Sequence, residues 1–277
     1  MKISMMTYTM ARGLPQGERL DVEEICSFTR ELDLEGIDWV TTYGYDPKEI
    51  RRITDDHGLR NICHTFHARL NHPTSEARAE GRDQFKQGIE NAVTLGADVV
   101  MLPYPGTPEW SREESFNNIV SGLQEVIDFA TRADVTVTVE HFPSRHSPFV
   151  VSEDVNRAIE QVPELRVTFD NGNVVTGGEA PGDAVRRSAD YIVHSHFKDF
   201  TPCPKDHPQA RDCLDGQPRR PVLVGDGEVD QIGSLAALKE CGYEGYINFE
   251  YEGSKYTPRE ATIMGVERMR EMISSLD

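Results

Sequence analysis

The chain has 277 residues, 38% of them hydrophobic, and a formal net charge of −18. That is enough apolar material for one large core, so a single domain spanning 1–277 is expected, and the acidic field opposes phosphate backbones, which speaks against a nucleic-acid partner. No run of 18 apolar residues appears and the N-terminus lacks the greasy stretch of a signal peptide, so a cytoplasmic protein with no membrane partner is expected.

In chain order, strands are predicted near 2–7, 36–40, 59–65, 97–103, 135–140, 165–170, 191–197 and 246–251, with helical stretches between them. Helix starts are signposted by Asp46-Pro47-Lys48-Glu49 and Thr257-Pro258-Arg259-Glu260, each with an N-cap, a proline at the first helical position and a capping-box Glu. Ser111-Arg112-Glu113-Glu114 repeats the pattern without proline. Segment 116–130 (FNNIVSGLQEVIDFA) carries an apolar stripe at helical spacing, suited to the outside of a barrel. Alternating β and α units imply a parallel sheet, and eight of them predict closure into an α/β (β/α)₈ TIM barrel; a doubly wound open sheet would show the same alternation. Residues 201–224, rich in proline and charge, form a long connection of the kind that serves a site or is disordered. Five scattered cysteines without CxxC spacing read as reduced thiols, with Cys203 and Cys213 in one loop the nearest to an exception.

Four of the predicted strands end in a residue able to bind a divalent metal: Glu140, Asp170, His196 and Glu250. Side chains alternate along a strand, so Glu140 shares a face with Thr136 and Thr138, opposite Val135, Val137 and Val139. The same phase puts Asp170 with Thr168, His196 with His194, and Glu250 with Asn248. In a barrel these four ends meet on one rim, where active sites form. Three carboxylates and an imidazole suit Mn²⁺ first, then Mg²⁺, Co²⁺ or Zn²⁺. The competing reading is an ion-pair network, for which Lys198 is the only nearby cation in these strand ends.

The strings HSHFKDF (194–200), DNGN (170–173) and VGDGEVD (224–230), with Glu140 and Glu250, resemble the xylose-isomerase-like barrel superfamily. It includes sugar epimerases similar to tagatose 3-epimerase, inosose dehydratases and isomerases, and apurinic endonucleases. The resemblance implies that Glu140, Asp170, His196 and Glu250 hold one divalent metal and that Glu140 and Glu250 form the acid/base pair. It also implies that homo-oligomers are common. Three positions depart from the endonuclease pattern: Tyr104-Pro105-Gly106, Asn173 and Arg219-Arg220-Pro221 stand where that branch has metal-binding histidine motifs. The epimerases place His where Asn173 stands and an Arg shortly after the metal-binding His, whereas 197–204 contains no Arg.

His64 matches a His that the family carries near the substrate, against a buried, hydrogen-bonded alternative; His67 lies in the same loop. Lys198 is placed to hold a substrate oxygen or to balance the acids. Asn173 is read as a donor to a sugar hydroxyl or as a turn former, and Asp199 as an orienting partner. Trp39, Trp110, Tyr8 and Phe66 are candidates to stack on a sugar or simply to pack. Arg219 and Arg220 are candidates to meet a phosphate or to be solvated. The glycine turn at 224–227 matches no nucleotide cradle, so no organic cofactor is expected. The expected function is a metal-dependent isomerase or epimerase acting on a small ketose or keto-polyol through an enediolate. A dehydratase is the alternative, and a non-catalytic sugar-binding barrel the second.

Overall fold

A computed structural model of the chain describes residues 1–15 and 18–276. In chain order the elements are β1 (Lys2–Met6), α1 (Thr7–Ala11), α2 (Val22–Glu31), β2 (Gly36–Val40), α3 (Pro47–Asp56), β3 (Arg60–Thr65), α4 (Ala79–Leu95), β4 (Val99–Leu102), α5 (Arg112–Arg132), β5 (Thr136–Glu140), α6 (Ser152–Gln161), β6 (Arg166–Asp170) and α7 (Asn171–Val175). They continue with α8 (Pro181–Ser188), β7 (Ile192–Phe197), β8 (Asp199–Pro202), β9 (Arg219–Val222), α9 (Gln231–Glu240), β10 (Tyr246–Phe249) and α10 (Pro258–Ser274). Eight strands close a barrel in the order β1-β10-β7-β6-β5-β4-β3-β2, every pair parallel. The open-sheet alternative is thereby excluded: β1 pairs with both β2 and β10.

Side-chain phase follows the predicted alternation. Val137, Val139, Val167, Phe169, Ile247 and Phe249 join the core between barrel and helices. The polar set points inward, where Thr138 and Thr168 meet hydroxyl to hydroxyl at 2.6 Å and Ser4 donates to Asn248. On α5 the predicted stripe buries Phe116, Ile119, Val120, Leu123, Val126 and Ile127. α10 approaches so closely that a Cβ on Gly265 would lie 2.0 Å from the Phe249 ring.

The capping boxes at Ser111/Glu114 and Thr257/Glu260 are formed. At Asp46 the predicted box does not close: its carboxylate accepts from Lys48 N at 2.9 Å. A second carboxylate from Glu49 would repel Asp46 where it does not repel a hydroxyl. Thr7, expected at the end of the first strand, opens α1 instead.

The 201–224 connection is ordered. β8 and β9 form an antiparallel hairpin pairing Asp199 with Val222 and Pro202 with Arg219. The loop between them spans the barrel mouth: Arg145 pairs with Asp212 at 3.2 Å, Asp215 N donates to Thr176 O, and Ser254 Oγ donates to Gln209 Oε1 at 2.9 Å. Cys203 and Cys213 are free thiols.

Asp199 fixes the turn after the hairpin. Its Oδ2 accepts from Gly225 N at 2.8 Å and Gly227 N at 3.0 Å, and its Oδ1 accepts from Val229 N at 3.1 Å. A Cβ on Gly227 would lie 2.2 Å from both Asp199 Oδ1 and Phe200 O, so only glycine fits there. Gly227→Ala is expected to lower stability by about 1–3 kcal/mol, the usual range for forcing an atom into packed space. Urea unfolding measures it, and an unchanged midpoint would refute the close approach.

Candidate metal centre and active site

The four strand ends converge. Glu140, Asp170, His196 and Glu250, all buried, each offer one ligand atom, and these atoms lie within 4.8 Å of one another. Local structure aims each side chain. Asp170 ends β6 and caps α7: its Oδ1 accepts from Gly172 N at 3.0 Å and Asn173 N at 2.8 Å. That fixes the carboxylate and turns Oδ2 toward the cluster, where it has no hydrogen-bond partner of good geometry. Glu250 Oε2 is in the same condition. His196 Nδ1 lies 2.9 Å from Glu140 Oε1. Lys198 Nζ sits 3.0 Å from Asp170 Oδ2 and 2.9 Å from Glu250 Oε2, a counter-charge to both acids, and it also lines the cavity beside them. Its backbone is clamped, since its N–H donates to Asn171 Oδ1 and its carbonyl accepts from Gln231 Nε2, with Asn171 donating to Gln231.

Beneath the cluster lies a residue that the sequence analysis did not single out. Asp38 on β2 is fully buried, and its Oδ2 is reached by His194 Nε2 at 3.0 Å, His196 Nε2 at 3.1 Å and Asn248 Nδ2 at 2.6 Å. A carboxylate on the far nitrogen of an imidazole fixes its tautomer and ring plane and raises the basicity of the near nitrogen. Asp38, His194 and His196 are also close enough to hold an ion themselves. With Oδ2 engaged by three side chains, this group reads as a hydrogen-bond hub that supports His196.

Electrostatics divides the acids. Burial pushes Asp170 well above the usual carboxylate range, Lys198 opposes the shift, and the neighbouring Glu140 and Glu250 charges reinforce it. Burial likewise raises Glu250 against the pull of Lys198. For Glu140, burial is outweighed by the hydrogen bond and charge of His196 and by Lys198, so its carboxyl is held below the ordinary range. Burial also opposes the His196 imidazolium, but contacts with Asp38 and Glu140 keep it protonated well above the usual His range. A carboxyl driven from its ionised form by burial, with neighbouring acids adding to the shift, marks a site with more acid than local cations can satisfy. That excess, the hard oxygen donors and the single imidazole fit a divalent cation.

A cavity of about 210 Å³ opens beside the cluster, lined by Glu140, Lys198 and Glu250 from it and by Tyr8, Asn173 and Arg211 among others. A larger depression of about 940 Å³ on the helical flank around Asn156 and Arg187 shares no lining residue with it. The aromatic walls are Tyr8 and Phe142. Trp39 is fully buried and donates to Asn61, Phe66 packs edge-on against Phe85, and Trp110 lies off the cavity wall. Asn173 donates to His141 O at 2.7 Å and keeps Oδ1 without a partner. His64 is set apart: it is buried with Nδ1 3.1 Å from Trp39 O, and the neighbouring His67 lines the cavity in its stead. Arg211, from the loop between β8 and β9, brings to the mouth a guanidinium that 197–204 lacks, paired with Glu252 at 2.7 Å.

A 26%-identical stretch of 278 residues relates the chain to inosose dehydratase of Clostridium botulinum, covering 93% of this chain and 92% of that protein. Among solved structures, an L-ribulose 3-epimerase superposes with TM-score 0.80 at 14% identity, covering 99% and 95% of the two chains. The IOLI protein, solved with a bound zinc atom, superposes with TM-score 0.80 at 17% identity, covering 100% and 99%. These structural likenesses speak to the fold. The family of xylose isomerase-like TIM barrels matches residues 26–272, nearly the whole chain, and the protein belongs to it.

Proposed function

We propose that the protein is a divalent-metal-dependent isomerase or epimerase of a small ketose or keto-polyol. The observation that carries this reading is the convergence of Glu140, Asp170, His196 and Glu250 on one point, with Glu140 and Glu250 also lining a small cavity at the barrel mouth. Those four side chains would hold the ion, Mn²⁺ before Mg²⁺, Co²⁺ or Zn²⁺, and the ion would supply Lewis-acid stabilisation of the negative charge that builds on a carbonyl oxygen as an enediolate forms. Glu140 and Glu250 are the acid/base pair. Their environments push their carboxyls in opposite directions, a pattern that separates base from acid. Glu140 removes the proton beside the carbonyl, and Glu250, facing the substrate from another strand, returns one. Asn173, with a free Oδ1, and the Lys198 ammonium orient substrate hydroxyls.

Similarity to an inosose dehydratase over nearly the whole chain favours a second reading, in which the same enediolate expels a β-hydroxyl. Incubation of ketoses and keto-cyclitols with Mn²⁺ in D₂O separates the two: an isomerase incorporates deuterium at carbon without losing water, and a dehydratase releases water. No exchange and no water loss across the panel would defeat both.

Asp38 gives this reading an independent test. Asp38→Asn keeps the shape but removes the negative charge on His196 Nε2, so divalent-metal affinity is expected to fall about 10- to 100-fold, the usual penalty for losing such a partner. Isothermal titration with Mn²⁺ measures it, and unchanged affinity would exclude His196 as a ligand that Asp38 supports.

A further inference from the structure

We infer that Glu252 sets the substrate class: the mouth cavity takes an uncharged polyhydroxy ketone and turns away its phosphate ester. The inference rests on the function proposed above and is carried by how the cations at the mouth are already committed. Lys198 is shared between Asp170 and Glu250, with Glu252 Oε2 a further 4.0 Å away. Arg211 pairs with Glu252 at 2.7 Å. Glu252 is itself held in place, because Tyr8 donates to its Oε1 at 3.2 Å and Arg12 donates to its carbonyl at 2.8 Å. A phosphate that reached Arg211 would therefore bring its one to two negative charges against the Glu252 carboxylate.

The usual anion grips of such a barrel are also filled from within. Phosphate in this architecture commonly sits on backbone N–H groups of the last loops or at the start of a short helix. Here the N–H groups of Gly225, Gly227 and Val229 donate to Asp199, and those of Gly172 and Asn173 donate to Asp170. The hairpin arginines named from the sequence do not reach the cavity. Arg219 is bound by Glu228 at 2.6 Å and Asp215 at 2.8 Å, and Arg220 faces a separate depression that shares no lining residue with the mouth. What the cavity leaves open is one acceptor and one donor, the free Asn173 Oδ1 and the unpartnered Arg211 Nε–H, which suit hydroxyl groups. At about 210 Å³ it is smaller than a drug-sized pocket and admits one small ring or open-chain sugar.

Calorimetric binding of matched pairs to the Mn²⁺-loaded protein tests this, with L-ribulose, D-fructose and D-tagatose each against its terminal phosphate ester. At least one free sugar is expected to bind on the order of 100-fold more tightly than its ester, since like charges brought together across a binding site discriminate strongly. Glu252→Gln should narrow that ratio about tenfold. Arg211→Met, on the loop outside the barrel, should widen it, because Glu252 then faces the cavity without its counter-charge. Glu244→Gln, an exposed acid, controls for net charge and should leave the ratio alone. Esters bound as tightly as their sugars, no binding of any free sugar, or a ratio unmoved by both Glu252→Gln and Arg211→Met would overturn the inference, as would an equal shift in Glu244→Gln. Discrimination without C–H exchange would leave it standing and defeat the isomerase reading; tight ester binding with exchange would do the reverse.

Discussion

Glu140→Gln and Glu250→Gln are each expected to lower turnover about 100- to 10,000-fold at saturating metal, the range over which a positioned acid or base contributes. Both substitutions conserve shape and hydrogen-bonding capacity, so the loss falls on proton transfer and ligation rather than on folding. Glu140→Gln removes the negative charge 2.9 Å from His196 Nδ1, and Glu250→Gln removes the negative charge 2.9 Å from Lys198 Nζ. The assignment of roles makes a finer distinction. With Glu140 as base, its variant should lose deuterium exchange altogether, whereas the Glu250 variant should retain slow exchange at the abstracted position and lose product formation. Turnover and exchange are read together by NMR in D₂O. Full activity in either variant would remove it from the acid/base pair.

Lys198→Met is expected to destabilise the metal-free protein by about 3–5 kcal/mol, the penalty for removing one partner of a buried ion pair. Methionine fills similar space, so the loss is electrostatic: Asp170 and Glu250 remain buried without their shared cation. Excess Mn²⁺ should restore much of the difference, because a ligand that binds only the folded state stabilises it. The pH dependence has a definite sign. Asp170 and Glu250 have folded-state pKa values raised by burial, so the stability associated with their protonated forms is complete below their unfolded values, about 3.9 and 4.3, and is lost as pH rises through the folded values. Lys198 opposes both shifts, and its removal extends the loss to higher pH. The gap between variant and wild type should therefore be widest at neutral pH and shrink on acidification. Urea titrations with chelator and with Mn²⁺, at mildly acidic and neutral pH, measure both effects; a gap independent of pH and metal would mean that Lys198 acts through packing.

The cluster of strand-end side chains was legible because a strand obeys a period of two, and the valines opposite Glu140 or the Phe169 beside Asp170 fix the phase. Asp38 obeys the same rule less visibly: it stands between Ile37 and Trp39 in an apolar strand, a signal of a buried acid, but the register between β2 and β3 shifts at Ile37/Asp38. His64 was ambiguous in the sequence because a His at a strand end has the right position for a ligand contact whether its ring faces the cavity or bonds to a neighbouring carbonyl. Arg211 could not have been found by periodicity. It reaches the mouth on an irregular loop whose path is set by tertiary contacts such as Arg145–Asp212, and its partner Glu252 lies beyond the last strand. Asp199 was expected to orient ligands or the loop. It holds the loop, gathering three N–H groups of the glycine turn, and Gly227 is glycine because that carboxylate leaves no room for a side chain.

Anomalous diffraction from crystals soaked in Mn²⁺ tests the metal centre most directly. The expected result is a single peak about 2.0–2.3 Å from one atom each of Glu140, Asp170, His196 and Glu250, with His196 bound through Nδ1 and its Nε2 still on Asp38. No peak among those four side chains, or an ion held by Asp38 and His194 instead, would contradict it.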